Sequence, residues 1–105
     1  MFLDPKKDGE QTTKTLEPWR QLLLDAADYM EVHGHCINVS QNDKGAVCII
    51  GALDAVKTSS CWSDGLFAMD GFLRRTTIYR SSEDFNDTHT GPEVIAAMRA
   101  CARAE

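Results

Sequence analysis

A chain of 105 residues with 43% hydrophobic and 26% charged side chains has the composition of an ordinary globular protein and the length for one core, which argues against both disorder throughout and a coiled coil. Its formal net charge is −5, with basic residues scattered apart from Lys6-Lys7 and Arg74-Arg75; the basic stripe that displaces counterions from phosphates is missing, so a nucleic-acid partner is not expected. No apolar run approaches the roughly 20 residues that span a bilayer, and no membrane association is expected.

The chain opens Met1-Phe2-Leu3-Asp4-Pro5 and continues into two lysines and an acidic, polar run, without the apolar h-region of a signal peptide. The four cysteines, Cys36, Cys48, Cys61 and Cys101, would suggest two disulfides in a secreted mini-protein. Here a cytoplasmic location and free thiols are the expectation. From Asp4 to Lys14 there is no aliphatic or aromatic side chain, so ordering that segment has nothing to offset its entropy. A flexible arm over 1–15 is predicted, followed by a single α-rich domain over 16–105.

The first helix is predicted from about Leu16 to His33, with Thr15 as N-cap and Pro18 in the first turn, where a missing N–H does no harm. Trp19, Leu22, Leu23, Ala26, Ala27 and Met30 recur at helical spacing, and Gly34 stands where a left-handed C-terminal cap is needed. Next, His35 to Ser40 and Ala46 to Ile50 flank the turn-forming run Gln41-Asn42-Asp43-Lys44-Gly45, which predicts a small hairpin or extended pair. From Cys48 to Val56 the residues Ile49, Ala52, Leu53 and Val56 share a helical face. Gly51 and Ala52 are small enough to let this second helix approach the first or the last one closely.

After Thr58-Ser59-Ser60, Ser63 or Asp64 is expected to cap a third helix with Leu66, Met69, Phe72 and Leu73 as its stripe. Thr76 to His89 reads as polar and irregular, anchored by Ile78, Tyr79 and Phe85. Thr90-Gly91-Pro92-Glu93 is a capping-box sequence, and Val94, Ile95, Met98, Cys101 and Ala102 follow on one face of a last helix ending near Arg103. The predicted fold is mainly α, with about four helices in one compact domain and a small β-hairpin or extended pair between the first two.

A Leu-Leu-Leu-Asp-Ala-Ala helix ending in His33-Gly34, the run Val47-Cys48-Ile49-Ile50-Gly51-Ala52-Leu53, then Phe85-Asn86-Asp87 and a helix Glu93-Val94-Ile95-Ala96-Ala97-Met98-Arg99 follow one another in this order. That order resembles a family of small uncharacterised proteins of actinobacteria and their phages, from about Leu16 to Ala102. Phe85 stands where that family often has Trp. The resemblance implies a phage or mobile-element accessory role and carries no activity over to this chain.

His33 and His35 lie within three residues of Cys36, the proximity a thiolate nucleophile needs. Against it, His33 suits a helix C-terminus and Cys36 a half-buried extended position, and no oxyanion-hole motif accompanies them. His33, His35, Cys36, Cys48, Cys61 and His89 could ligate zinc, but without a Cys-x-x-Cys or an i, i+4 His pair neither a metal nor any other cofactor is expected. Glu83, Asp84 and Asp87 lack calcium-loop spacing and read as solvated charges. Because Thr90 and Glu93 already satisfy the last helix, Asn86 and Asp87 are left without an evident capping duty. With His33 and His35 they are the candidate binding residues.

The expected function is a non-enzymatic accessory protein that binds another protein and self-associates. The alternatives are a small hydrolase or transferase, or a small-ligand module, using the Cys36/His33/His35 or Asn86/Asp87 region.

Overall fold

The structure is a computed structural model that describes residues 17–57 and 62–104. The predicted arm over 1–15 and the loop at 58–60 therefore lie outside the described residues, as does Cys61. Among the described residues five helices run in chain order: α1 (Pro18–His33), α2 (Ile49–Val56), α3 (Trp62–Thr76), α4 (Ser82–Thr88) and α5 (Gly91–Arg103). One more helix is present than the predicted four, and the hairpin is replaced by two isolated bridges.

α1 starts at Pro18, with Glu17 in the N-cap position and no side-chain cap; the predicted cap Thr15 is not among the described residues. Its stripe is buried as its period predicts, at Leu22, Leu23, Ala26, Ala27 and Met30. Gly34 ends it with φ +100° and ψ 163°, its N–H donating to the Met30 carbonyl at 2.7 Å. The positive φ is the one expected of a glycine cap. The extended ψ sends the chain away from α1 where a left-handed cap would have curled it back.

The segment from His35 to Cys48 fails to form a hairpin because Asn38 has φ +70°, which turns 37–40 back before two strands can run side by side. Val47 takes the centre instead, bridging His35 in the parallel sense and Gln41 in the antiparallel sense. It is 1% exposed and sits in the hydrophobic core. The turn itself is as predicted: Asn42 Oδ1 accepts from the Lys44 and Ala46 N–H groups at 3.0 Å each, and Gly45 has φ +87°.

Gly51 is a close-approach position, but toward a loop and not toward α1 or α5. A Cβ added there would lie 1.9 Å from the Ser40 carbonyl oxygen, which accepts the Cys48 N–H at 3.1 Å. The helix-to-helix approach is made by Gly65 of α3, whose missing Cβ would meet Leu53 at 3.0 Å and Leu22 at 3.3 Å. α3 begins at Trp62, so Ser63 and Asp64 stand in its first turn and not at its cap. Of its predicted stripe, Met69 and Leu73 are buried and Leu66 and Phe72 partly so.

The stretch predicted as irregular contains α4. Ser81 caps it, its hydroxyl accepting from the Asp84 N–H at 3.1 Å. Ser82 is 1% exposed and gives both its N–H and its hydroxyl to Asp70 Oδ1, at 2.7 and 2.6 Å. Tyr79 packs edge-on against Phe85, which stacks on His89 with ring centroids 3.9 Å apart. Seven residues with one large apolar side chain carry no period to read. α5 has the capping box as expected: Glu93 Oε1 accepts from the Thr90 N–H at 2.9 Å, and Thr90 Oγ1 from the Glu93 N–H at 3.4 Å. The bonds its carboxylate accepts from the Thr90 N–H and, at 3.2 Å, from the Thr90 hydroxyl hold the Glu93 carboxyl below the usual carboxylate range.

α1 packs most extensively against α5 and α2. Sixteen buried residues drawn from all five helices and Val47 form one hydrophobic cluster. Among the described residues no helix is long and apolar enough to cross a membrane.

Candidate functional site

Asn86 lies on α4 and is 1% exposed, which for an amide demands partners on every side. Its Nδ2 donates to the Cys36 carbonyl and to Asp87 Oδ1, each at 3.0 Å, and its Oδ1 accepts the Ile49 N–H at 3.2 Å. The Ile49 N–H is one of the orphan donors in the first turn of α2. Asn86 thus has a capping duty after all, toward a helix 37 residues away. The neighbouring orphan, the Gly51 N–H, is met by Cys48 Sγ at 3.5 Å.

Around this amide the 35–38 segment is stitched to α4. His35 Nε2 lies 3.0 Å from the Asn86 carbonyl oxygen; a carbonyl only accepts, so Nε2 carries the proton. Asp87 Oδ1 accepts the Asn38 N–H at 3.3 Å and so supports the left-handed backbone that turns the loop. Of the four candidate residues, His35, Asn86 and Asp87 come together. His33 does not join them: it ends α1 with its ring stacked on Tyr29, centroids 4.0 Å apart.

Nor do the residues of the Cys-His reading converge on one reacting atom. The Cys36 thiol is buried and donates to the Val39 and Ala46 carbonyls at 3.4 and 3.3 Å. Burial pushes this thiol up, and nearby Cys48 acts in the same direction; a neutral, carbonyl-bound thiol is a poor nucleophile. Cys36, Cys48 and Cys101 are free. Among the described residues no three His, Cys, Asp or Glu side chains are grouped to hold a metal ion.

Over this junction opens a cleft of about 320 Å³. One wall is Asn38, Val39 and Ser40; the second is the start of α2 with Cys48, Ile49 and Ile50; the third is α4 with Glu83, Asn86 and Asp87. Val39, Ser40 and Ile50 carry no functional expectation from the sequence, and Cys48 and Glu83 figure there only as a zinc ligand and as a solvated charge. Glu83 and Asp87 are four residues apart, so on a helix they share a face, a signal hidden while the segment read as irregular. At the cleft and beside it, Val39 is 51% and Ile37 45% exposed.

The chain belongs to a family of unknown function (DUF6197), whose sequence pattern matches residues 14–104. No curated protein and no solved structure matches it.

Proposed function

We propose that this protein is a non-enzymatic accessory protein that works by binding another protein, and that the cleft between the 38–40 segment, α2 and α4 is where it binds. One observation carries the reading, the division of labour at the cleft. The polar groups at its base are committed to holding the fold, through the Asn86 amide, His35 Nε2 and Asp87 Oδ1. The β-branched side chains of Ile37 and Val39, on the segment those bonds pin in place, are left half-exposed. Aliphatic groups held rigidly at the edge of a cleft bind with little ordering cost. The resemblance described above supports an origin in an actinobacterial phage or mobile element, and the free thiols suit a reducing cytoplasm.

The test is capture from a host lysate by the tagged full chain, with mass spectrometry of co-eluting proteins, set beside Val39→Glu. A surface change of this kind shifts stability by only about 0.5 kcal/mol, so the variant stays folded. The expected result is a partner held by the wild type and lost with Val39→Glu; equal capture by both refutes the cleft as the docking surface. A small ligand in the same cleft is the second reading, favoured by a volume of about 320 Å³, within the range of small-molecule sites.

A further inference from the structure

The most exposed large aliphatic side chain of the described residues is Ile78, at 90%, on the short connection between α3 and α4. Isolated surface aliphatics are ordinary; this one is held out by a pinned turn. The Thr77 N–H and hydroxyl both donate to the Leu73 carbonyl, at 2.8 and 2.7 Å. The Tyr79 N–H donates to Thr77 Oγ1 at 3.0 Å, and Arg74 Nε to the Arg80 carbonyl at 3.0 Å. The Tyr79 ring is wedged edge-on against Phe85 and His89. Ile78 therefore projects as a preorganised knob between Arg74 and Arg80, and among the described residues neither guanidinium pairs with a carboxylate.

The cleft presents the converse. Val39, Ile49 and Ile50 line it with aliphatic surface, and Glu83 and Asp87 supply negative charge from one face of α4. Among the described residues no ion pair engages either carboxylate. One surface is an aliphatic knob flanked by cations, and the other an aliphatic cleft flanked by anions. Within a single copy Ile78 stays exposed and is not part of the cleft lining, so the two halves are not joined.

We propose that the cleft takes the Ile78 knob of a second copy of this chain, with Arg74 and Arg80 set against Glu83 and Asp87. This rests on the reading of the cleft as a docking surface. A net charge of −5 makes two copies repel at long range. Association is therefore carried by the local charge match and the apolar insertion, and it responds to changes on either side.

Sedimentation velocity of the full chain over a wide concentration range is the test. Wild type should associate as concentration rises. Ile78→Glu and Glu83→Arg, both surface changes checked for an unaltered melt, should each leave a monomer. Combining Arg80→Glu with Glu83→Arg restores opposite charges across the contact and should restore association. A wild type that is monomeric throughout overturns the proposal, as does association that survives Ile78→Glu or Glu83→Arg. If wild type is monomeric while Val39→Glu still abolishes capture from lysate, self-association falls and the cleft reading stands. If Val39→Glu also leaves capture unchanged, both fall.

Discussion

Between α1 and α5 the molecule is held by Leu23, Ala26, Ala27 and Met30 on one helix and Val94, Met98, Cys101 and Ala102 on the other, none more than 2% exposed. At the junction of α2, α4 and the 35–41 segment it is held largely by one amide, Asn86, with His35, Asp87 and the Ser40 carbonyl around it. The first region distributes its energy over many weak, non-directional contacts, any one of which has substitutes. The second concentrates it in directional hydrogen bonds, of which the two joining Asn86 to the Cys36 carbonyl and the Ile49 N–H are buried and have no alternative partner. Shape matters at the seam within the tolerance of a rotamer; at the junction the identity of each atom matters.

That contrast is most exposed by a pair of similar changes with dissimilar outcomes. Asn86→Leu keeps the approximate volume but strands the Ile49 N–H and the Cys36 carbonyl, each costing roughly 1–3 kcal/mol. A loss of about 3 kcal/mol is expected, a fall in Tm of roughly 10–20 °C. Met98→Leu at the seam should cost less than about 1.5 kcal/mol. Thermal melts in which Met98→Leu proved the costlier would reverse the comparison.

A second pair concerns glycines. Gly51→Ala pushes a methyl group to 1.9 Å from the Ser40 carbonyl oxygen, a backbone atom that cannot rotate away, so destabilisation of about 2 kcal/mol is expected. Gly65→Ala meets only the ends of the Leu53 and Leu22 side chains, at 3.0 and 3.3 Å. Those can shift, and the roughly 1 kcal/mol gained in helix propensity should leave it within about 1 kcal/mol of wild type. Chemical denaturation of both variants measures the difference; equal losses would mean the backbone contact at Gly51 is no stiffer than the side-chain contact at Gly65.

Near neutral pH the seam should show no such effect, but a pH dependence is expected in it on the alkaline side. Cys101 is buried there and its thiol is pushed up to about 11, against roughly 8.5 for an unfolded cysteine. The folded state resists losing this proton and the unfolded state does not. The stabilisation is therefore whole below the ordinary thiol range and is lost as pH rises from there through 11. Melting temperature should decline across that window, and the decline should lessen in Cys101→Ala. A variant with the same alkaline slope as wild type would assign it to other groups.

How far each region could be read without coordinates follows from the same contrast. The stripes of α1 and α5 repeat every three or four residues, and a period survives in a sequence. The Thr90/Glu93 capping box, the Asn42–Gly45 turn and the glycine at 34 are local too, each set by residues within four positions of one another. α4 escaped because it has a single large apolar residue, Phe85, and its cap Ser81 sits in a polar run. Asn86 stands out in the sequence only as a polar residue without a local partner; the role it has in the fold depends on Ile49 and Cys36, which are 37 and 50 residues away, and no spacing rule encodes such partners. The same holds for Gly51. Its smallness was legible, whereas the atom it makes room for, a carbonyl in a loop turned by Asn38 at φ +70°, exists only once the chain has folded. Local periodicity and capping chemistry therefore determined the α1 and α5 helices and most of the core. Tertiary structure alone decided that Asn86, Asp87 and His35 meet, that His33 stays apart, and that a cleft opens above them, because a hydrogen bond between distant segments depends on where the whole backbone places its donors and acceptors.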